Sequence, residues 1–148
     1  MTKSGKTECS FCEATVFKNQ LLFKDKLASI IYPQKPIIFG HLMIISNRHV
    51  ERFEDLTNEE IIDMSQLVKK AFLIFKREQN ACGFNLFTNN GAKAGQKVPH
   101  VHWHLFFRFE EEPVSPYQIL NNPKLREKIS EKEWKRRRDK IKKLFTRP

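Results

Sequence analysis

The chain has 148 residues, 40% of them hydrophobic, enough for one domain with a substantial core. It contains no apolar run of the roughly 18 residues a membrane span needs, and the opening MTKSGKTECSFCEA lacks the apolar stretch of a secretory signal, so a soluble, cytoplasmic protein is expected. The net charge of +10 is concentrated at one end: from Lys124 to Pro148, twelve Lys or Arg stand against four Asp or Glu, leaving about +2 for everything before.

In chain order, Cys9-Ser10-Phe11-Cys12 comes first. Three cysteines, an odd number, argue against a disulfide framework. In a reducing compartment a C-x-x-C pair binds metal or does redox chemistry. Cys82, with no partner motif, reads as a small core residue. Short β-rich runs flank the turn material YPQKP, and HLMIIS (41–46) reads as a buried strand. Thr57 followed three residues later by Glu60 is a capping-box pattern. Ile61, Met64, Val68, Phe72 and Phe75 then recur at helical spacing, a stripe suited to a core or a dimer interface. CGFNLFTNN (82–90) reads as a strand, GAKAGQK (91–97) as a glycine-bearing loop and VPHVHWHLFFRF (98–109) as another strand. Pro113 and Pro116 break the pattern before a basic terminal helix. The order implies an α+β fold, a mainly antiparallel sheet packed with one long helix plus a C-terminal helix. Residues 1–112 are taken as one domain and 113–148 as a basic helical extension. That extension suits a helix with one charged face, or a contact with nucleic acid or another anion.

His100, His102 and His104 alternate, so in a strand they share one face at about 6.5 to 7 Å spacing. Val101, Trp103 and Leu105 take the other face and can pack under the long helix. The histidines could be hydrogen-bonded core residues, three ligands of one metal, or a reacting site in which one imidazole is the nucleophile. The preceding loop weighs toward phosphorus chemistry. Its glycines let backbone N–H groups approach an anion, and Asn89 and Gln96 can add side-chain donors.

These segments resemble the histidine-triad (HIT) family. HVHWHLF matches its His-φ-His-φ-His-φ-φ pattern, with φ apolar. NNGAKAGQKVP resembles its Asn-x-Gly-x-x-x-Gly-Gln-x-Val approach, and FGHLMIISNRHV its Gly-His strand and following turn. The resemblance implies a nucleotidyl hydrolase or transferase acting at the α-phosphate of a nucleoside phosphoramidate or dinucleoside polyphosphate. It implies His102 as nucleophile, His104 on the phosphate oxygens, and the His100 backbone accepting the other N–H of His102. It places Asn89, Gly95, Gln96, Lys97, Val98 and His41 as nucleotide- or phosphate-binding positions. The substrate implied is a purine nucleotide such as an AMP derivative, and the assembly implied is a homodimer through the long helix and its neighbouring strand. CSFC resembles a zinc-containing subset, which implies a structural Zn2+ on Cys9, Cys12, His49 and His100. Two departures bear on substrate. Lys97 stands where the family often has Ser or Thr, and ASIIYPQKP offers no Asp for the ribose. PIIFGH and VERFEDL look like the fragile-histidine-triad branch, which acts on diadenosine polyphosphates, whereas CSFC leans toward bacterial relatives of the phosphoramidate-cleaving branch. Two further classes stay open: a nucleotide- or nucleic-acid-binding module using the basic tail, and a metal-binding protein using all three triad histidines.

Overall fold

The structure, a computed structural model, describes residues 9–148. Residues 1–8, which include most of the opening stretch read above, lie outside the described residues. In chain order the elements are α1 (Ala14–Gln20), β1 (Leu21–Lys24), β2 (Ala28–Ile31), β3 (His41–Ser46), α2 (Asn58–Gln79), β4 (Gly83–Thr88), β5 (His102–Arg108), α3 (Pro116–Asn121) and α4 (Glu131–Thr146). All strand pairs are antiparallel, in the order β1-β2-β3-β5-β4. The α+β expectation therefore holds, with β5, the histidine strand, inserted between β3 and the edge strand β4.

The long helix begins where the capping box lies. The Thr57 hydroxyl accepts from the Glu60 N–H at 3.1 Å, and the Glu60 carboxylate accepts from the Thr57 N–H at 2.9 Å. It ends at Asn80 in the left-handed region (φ 59°), whose N–H bonds the Phe75 carbonyl. Glu60 also receives Arg48 on both carboxylate oxygens at 2.9 Å, and that ion pair holds its carboxyl below the ordinary value. The start of α2 is thereby bolted to the turn after β3, one residue from His49.

Alternation sorts the sheet into two faces. On one, Leu42, Ile44, Trp103, Leu105 and Phe107 meet Met64, Leu67, Val68, Ala71 and Phe75 of α2 and Ile141, Leu144 and Phe145 of α4 in one core. Each such large side chain contributes about 1.5–3 kcal/mol by leaving water. Ile61 and Phe72 of the expected stripe are partly buried against the same core. The basic terminal helix is thus anchored by its apolar side, and Trp134 adds a bond from its indole N–H to the Pro33 carbonyl at 2.8 Å. Cys82 corrects the sequence reading: it is exposed, not core, because it precedes the edge strand, and its thiol reaches only the Arg108 carbonyl at 3.3 Å.

The opposite face carries His41, Met43 and Ile45 of β3 beside His102, His104 and Phe106 of β5, in the register Met43↔His104 and Ile45↔His102. Two small apolar clusters cover its ends. Cys9, Phe11 and Phe17 pack on Ile31, Met43 and Ile45 at one, and Ile119, Leu120 and Val114 pack on Ile38, Phe87 and Phe106 at the other.

Candidate active site and metal centre

Gly40 takes φ +84°, a conformation L side chains rarely adopt, and turns the chain into β3 so that His41 enters the sheet facing β5. The Ile37 N–H donates to His41 Nδ1 at 3.1 Å. That nitrogen is therefore the acceptor, and the proton of neutral His41 sits on Nε2, 3.0 Å from His104 Nδ1. His104 in turn accepts on Nδ1 and keeps its own proton on Nε2, as a donor. Phe87 stacks on the His104 ring at 4.9 Å and fixes its plane.

His102 has the reverse polarity. Its Nδ1–H donates to the His100 carbonyl at 2.8 Å, so Nε2 carries a free lone pair. Thr88 Oγ1 donates to the His102 carbonyl at 2.9 Å, tying the position to β4. Phe11 meets the His102 ring edge-on at 5.4 Å and the His100 ring at 5.8 Å. Burial lowers both His102 and His104 below the ordinary histidine value, and for His104 burial and then His102 bring it down to about 4. His41 lies well below it, through burial first and then His104, His102 and Arg126. Neutral rings keep these tautomers at physiological pH. A lone-pair nitrogen and an N–H donor thus stand on adjacent imidazoles with ring centroids 5.1 Å apart.

His100 is turned away from that pair. Its Nε2–H donates to the Ser46 carbonyl at 2.7 Å, leaving Nδ1 with a lone pair aimed at Cys9 Sγ (3.4 Å) and Cys12 Sγ (3.5 Å). Cys12 Sγ is 3.2 Å from His49 Nδ1, and the ligand atoms of Cys9, Cys12, His49 and His100 all lie within 4.8 Å of one another. Sulfur and nitrogen ligands around a tetrahedral zinc ion stand roughly 3.3–3.8 Å apart, so this set fits zinc with little adjustment. The outer nitrogen of His100 is supported by the Ser46 carbonyl as a zinc histidine's usually is, and His49 Nε2 lies 3.7 Å from the Glu51 carboxylate. Without a cation, burial and the neighbouring Cys9 push the Cys12 thiol up to about 11. Neither His102 nor His104 belongs to this cluster, which speaks against a metal held by all three triad histidines.

The chain carries the HIT domain over residues 14–111. It belongs to the HIT family. Over 90 residues it is 36% identical to a bis(5'-nucleosyl)-tetraphosphatase (asymmetrical) of Schizosaccharomyces pombe, a match covering 61% of this chain and 50% of that protein, so the chain spans half the length of that relative. It is 29% identical over 129 residues to a bis(5'-adenosyl)-triphosphatase of Dictyostelium discoideum, covering 86% of this chain and 87% of that one. Its fold matches a zinc-bound histidine triad family protein from Mycobacterium smegmatis with a TM-score of 0.71, at 21% identity, over 96% of this chain and 98% of that chain.

Around this HIT centre, the loop residues occupy different stations. Gln96 is taken up by its own loop: its carbonyl oxygen accepts from the Gly91 N–H at 2.7 Å, and its amide donates to the Glu51 and Val98 carbonyls at 2.8 and 3.0 Å. Gly95, at φ +92°, lies beside Asn89, so the loop folds back on the end of β4. Val98 packs with the Cys9 cluster, and Lys97 is exposed with no carboxylate partner among the described residues. Sequence reasoning missed Ser46, Phe11, Phe87 and Thr88. Their only signal is position in a strand or between the two cysteines, which says nothing of the ring each one meets. The basic helix is only partly paired: Lys135, Arg136, Arg137 and Arg138, with Arg147 just past its end, pair with carboxylates. Lys132, Lys140, Lys142 and Lys143 are left without such a partner among the described residues. No described helix is long and apolar enough to cross a membrane.

Proposed function

We propose that the protein is a HIT-type nucleotide hydrolase that cleaves a nucleoside phosphoramidate or dinucleoside polyphosphate at the α-phosphate through a covalent nucleotidyl-histidine. The observation that carries this reading is the opposed polarity of His102 and His104: a free lone pair beside an N–H donor on one face. His102 Nε2 attacks the α-phosphorus, forming a P–N bond, while the bond to the leaving group breaks and that group departs with its electron pair, a polyphosphate as the anion and an amine after taking a proton from solvent. The His104 Nε2–H donates to a phosphate oxygen as charge builds there, and needs no reorientation because His41 already holds it. Water then attacks the same phosphorus, loses a proton to solvent, and returns the P–N electron pair to His102, releasing the nucleoside monophosphate. Splitting one hard displacement into two easier ones is the gain of covalent catalysis.

Relatives named for dinucleoside polyphosphate cleavage support the polyphosphate class, as does Lys97, free to meet a charged leaving group. An AMP derivative is the substrate taken, with Asn89, Gly95, Gln96 and Val98 shaping the approach to the phosphates. Zinc on Cys9, Cys12, His49 and His100 would hold His100 still and tie the N-terminal segment to β5; the chemistry above uses only side chains of the chain. The HIT domain is taken as residues 1–112, with 113–148 as its extension. A homodimer is supported by an apolar surface of Ile62 and Leu73 on α2 with Phe84 and Leu86 on the edge strand β4, each more than 40% exposed. The test offers the purified protein adenosine phosphoramidate and diadenosine tri- and tetraphosphate and follows AMP. Release of AMP from at least one is expected; no release from any rejects the reading.

A further inference from the structure

Nine arginines occur in the chain, and eight of them pair with a carboxylate: Arg48 with Glu60, Arg52 with Glu54, Arg108 with Glu112, Arg137 with Glu127 and Glu133, and likewise Arg77, Arg136, Arg138 and Arg147. Arg126 has no carboxylate partner among the described residues. It is held instead by α3: its Nε donates to the Ile119 carbonyl at 3.5 Å and its Nη2 to the Leu120 carbonyl at 3.2 Å. Nη1 makes no hydrogen bond among the described residues, so half of the guanidinium fork is unused.

Those two bonds set its direction. The neighbours Leu125 and Glu127 line a cavity of about 220 Å³ with Phe39, Phe109 and Ile119, while the Arg126 guanidinium folds back on the end of α3. That end is part of the histidine groove. Ile119 and Leu120 pack with Ile38, Phe87 and Phe106. Phe106 is edge-on to His41 at 4.6 Å, and Phe87 stacks on His104. The charge is felt there, since Arg126 adds to the depression of His41 behind burial and the two neighbouring histidines.

The groove along β5 is therefore asymmetric. At the His100 end its wall is Phe11 and Ile45, apolar and suited to a base. At the His104 end it carries a half-buried arginine with free N–H groups. We propose that Arg126 binds the phosphates of an anionic leaving group beyond the α-phosphorus and makes the protein prefer polyphosphate-linked substrates over those with an uncharged leaving group. The residue lies after the family match, which ends at 111, so the C-terminal segment supplies specificity to the site. The inference rests on the nucleotidyl-hydrolase reading for its substrates, but the anion site can be tested alone.

The test compares wild type with Arg126→Gln and Arg126→Lys in two measurements. In the first, kcat/KM is taken with diadenosine triphosphate and with adenosine phosphoramidate. A fall of at least about tenfold on the triphosphate and less than threefold on the phosphoramidate is expected for Arg126→Gln, with Arg126→Lys recovering part of it. Equal losses on both substrates assign Arg126 to holding α3 only and overturn the proposal, as does no loss on either. The second is calorimetric binding of inorganic tripolyphosphate, which needs no turnover. At least about tenfold weaker binding is expected in Arg126→Gln, and unchanged affinity overturns the anion site. Weakened tripolyphosphate binding in a protein that turns over no nucleotide keeps the anion site and rejects the hydrolase reading.

Discussion

His100 and His104 sit four residues apart, but the strand expected over 98–109 begins only at His102, which leaves His100 in the bend before β5, and each ring nitrogen is turned to a different use. At the His100 end, a backbone carbonyl takes the Nε2 proton and leaves Nδ1 facing two thiols. At the His104 end, a second histidine donates to Nδ1 and leaves Nε2–H facing outward. His102 stands between them with its proton pinned to the His100 carbonyl and its lone pair free. Three identical side chains present a thiol-facing lone pair, a free lone pair and an N–H donor because their partners differ. Strand alternation puts His102 and His104 side by side and explains nothing more.

The two ends can be broken separately. The largest effect is expected in the middle: His102→Asn abolishes turnover, by at least about 10³-fold in kcat, while the circular-dichroism spectrum and the bound metal are retained. Loss of metal in that variant would mean the two ends are not separate. At the His100 end, elemental analysis of the wild type is expected to find roughly one zinc per chain, and Cys9→Ala is expected to lose it and to lower Tm by about 10 °C. Wild type that carries no metal, or Cys9→Ala that keeps it, contradicts the zinc assignment. At the His104 end, His41→Phe removes the group that sets the His104 tautomer but no ligand. A fall of about 10- to 100-fold in kcat, with metal content and Tm nearly unchanged, is expected; unchanged kcat shows that His104 does not need its partner.

The smallest effect concerns the bolt between α2 and the turn bearing His49. The Glu60 carboxyl is held below its ordinary value by Arg48, so the stabilisation is present above the unfolded value near 4.5 and is lost as pH falls through the lower folded value. Glu60→Gln is expected to cost on the order of 1 kcal/mol at pH 7, measured by denaturant unfolding, and almost nothing near pH 2. A difference from wild type that is the same at both pH values contradicts the ionic account.

Much of this was legible in the sequence because it is local. The Thr57–Glu60 box starts α2, and alternation separates Trp103 and Leu105 from the histidines. The pairing of Cys9 and Cys12 with His49 and His100 was implied only by family resemblance, and the four do cluster. What stayed hidden depends on distant contacts. His100 meets Ser46 across 54 positions and His41 meets His104 across 63, and those bonds decide which nitrogen carries the proton. Cys82 was misplaced because a cysteine beside an edge strand looks, in sequence, like one beside a central strand. Arg126 was concealed in a run of charge, and its distinction, the missing carboxylate partner, exists only once the other eight arginines are paired.

The most direct test is to trap the intermediate. The protein is mixed with diadenosine triphosphate, quenched in alkali within the first turnover and mapped by peptide mass spectrometry. The expected result is an adenylyl group on His102, absent from His102→Asn. An adduct on another residue, or turnover with no adduct at all, would contradict the assignment of the three histidines.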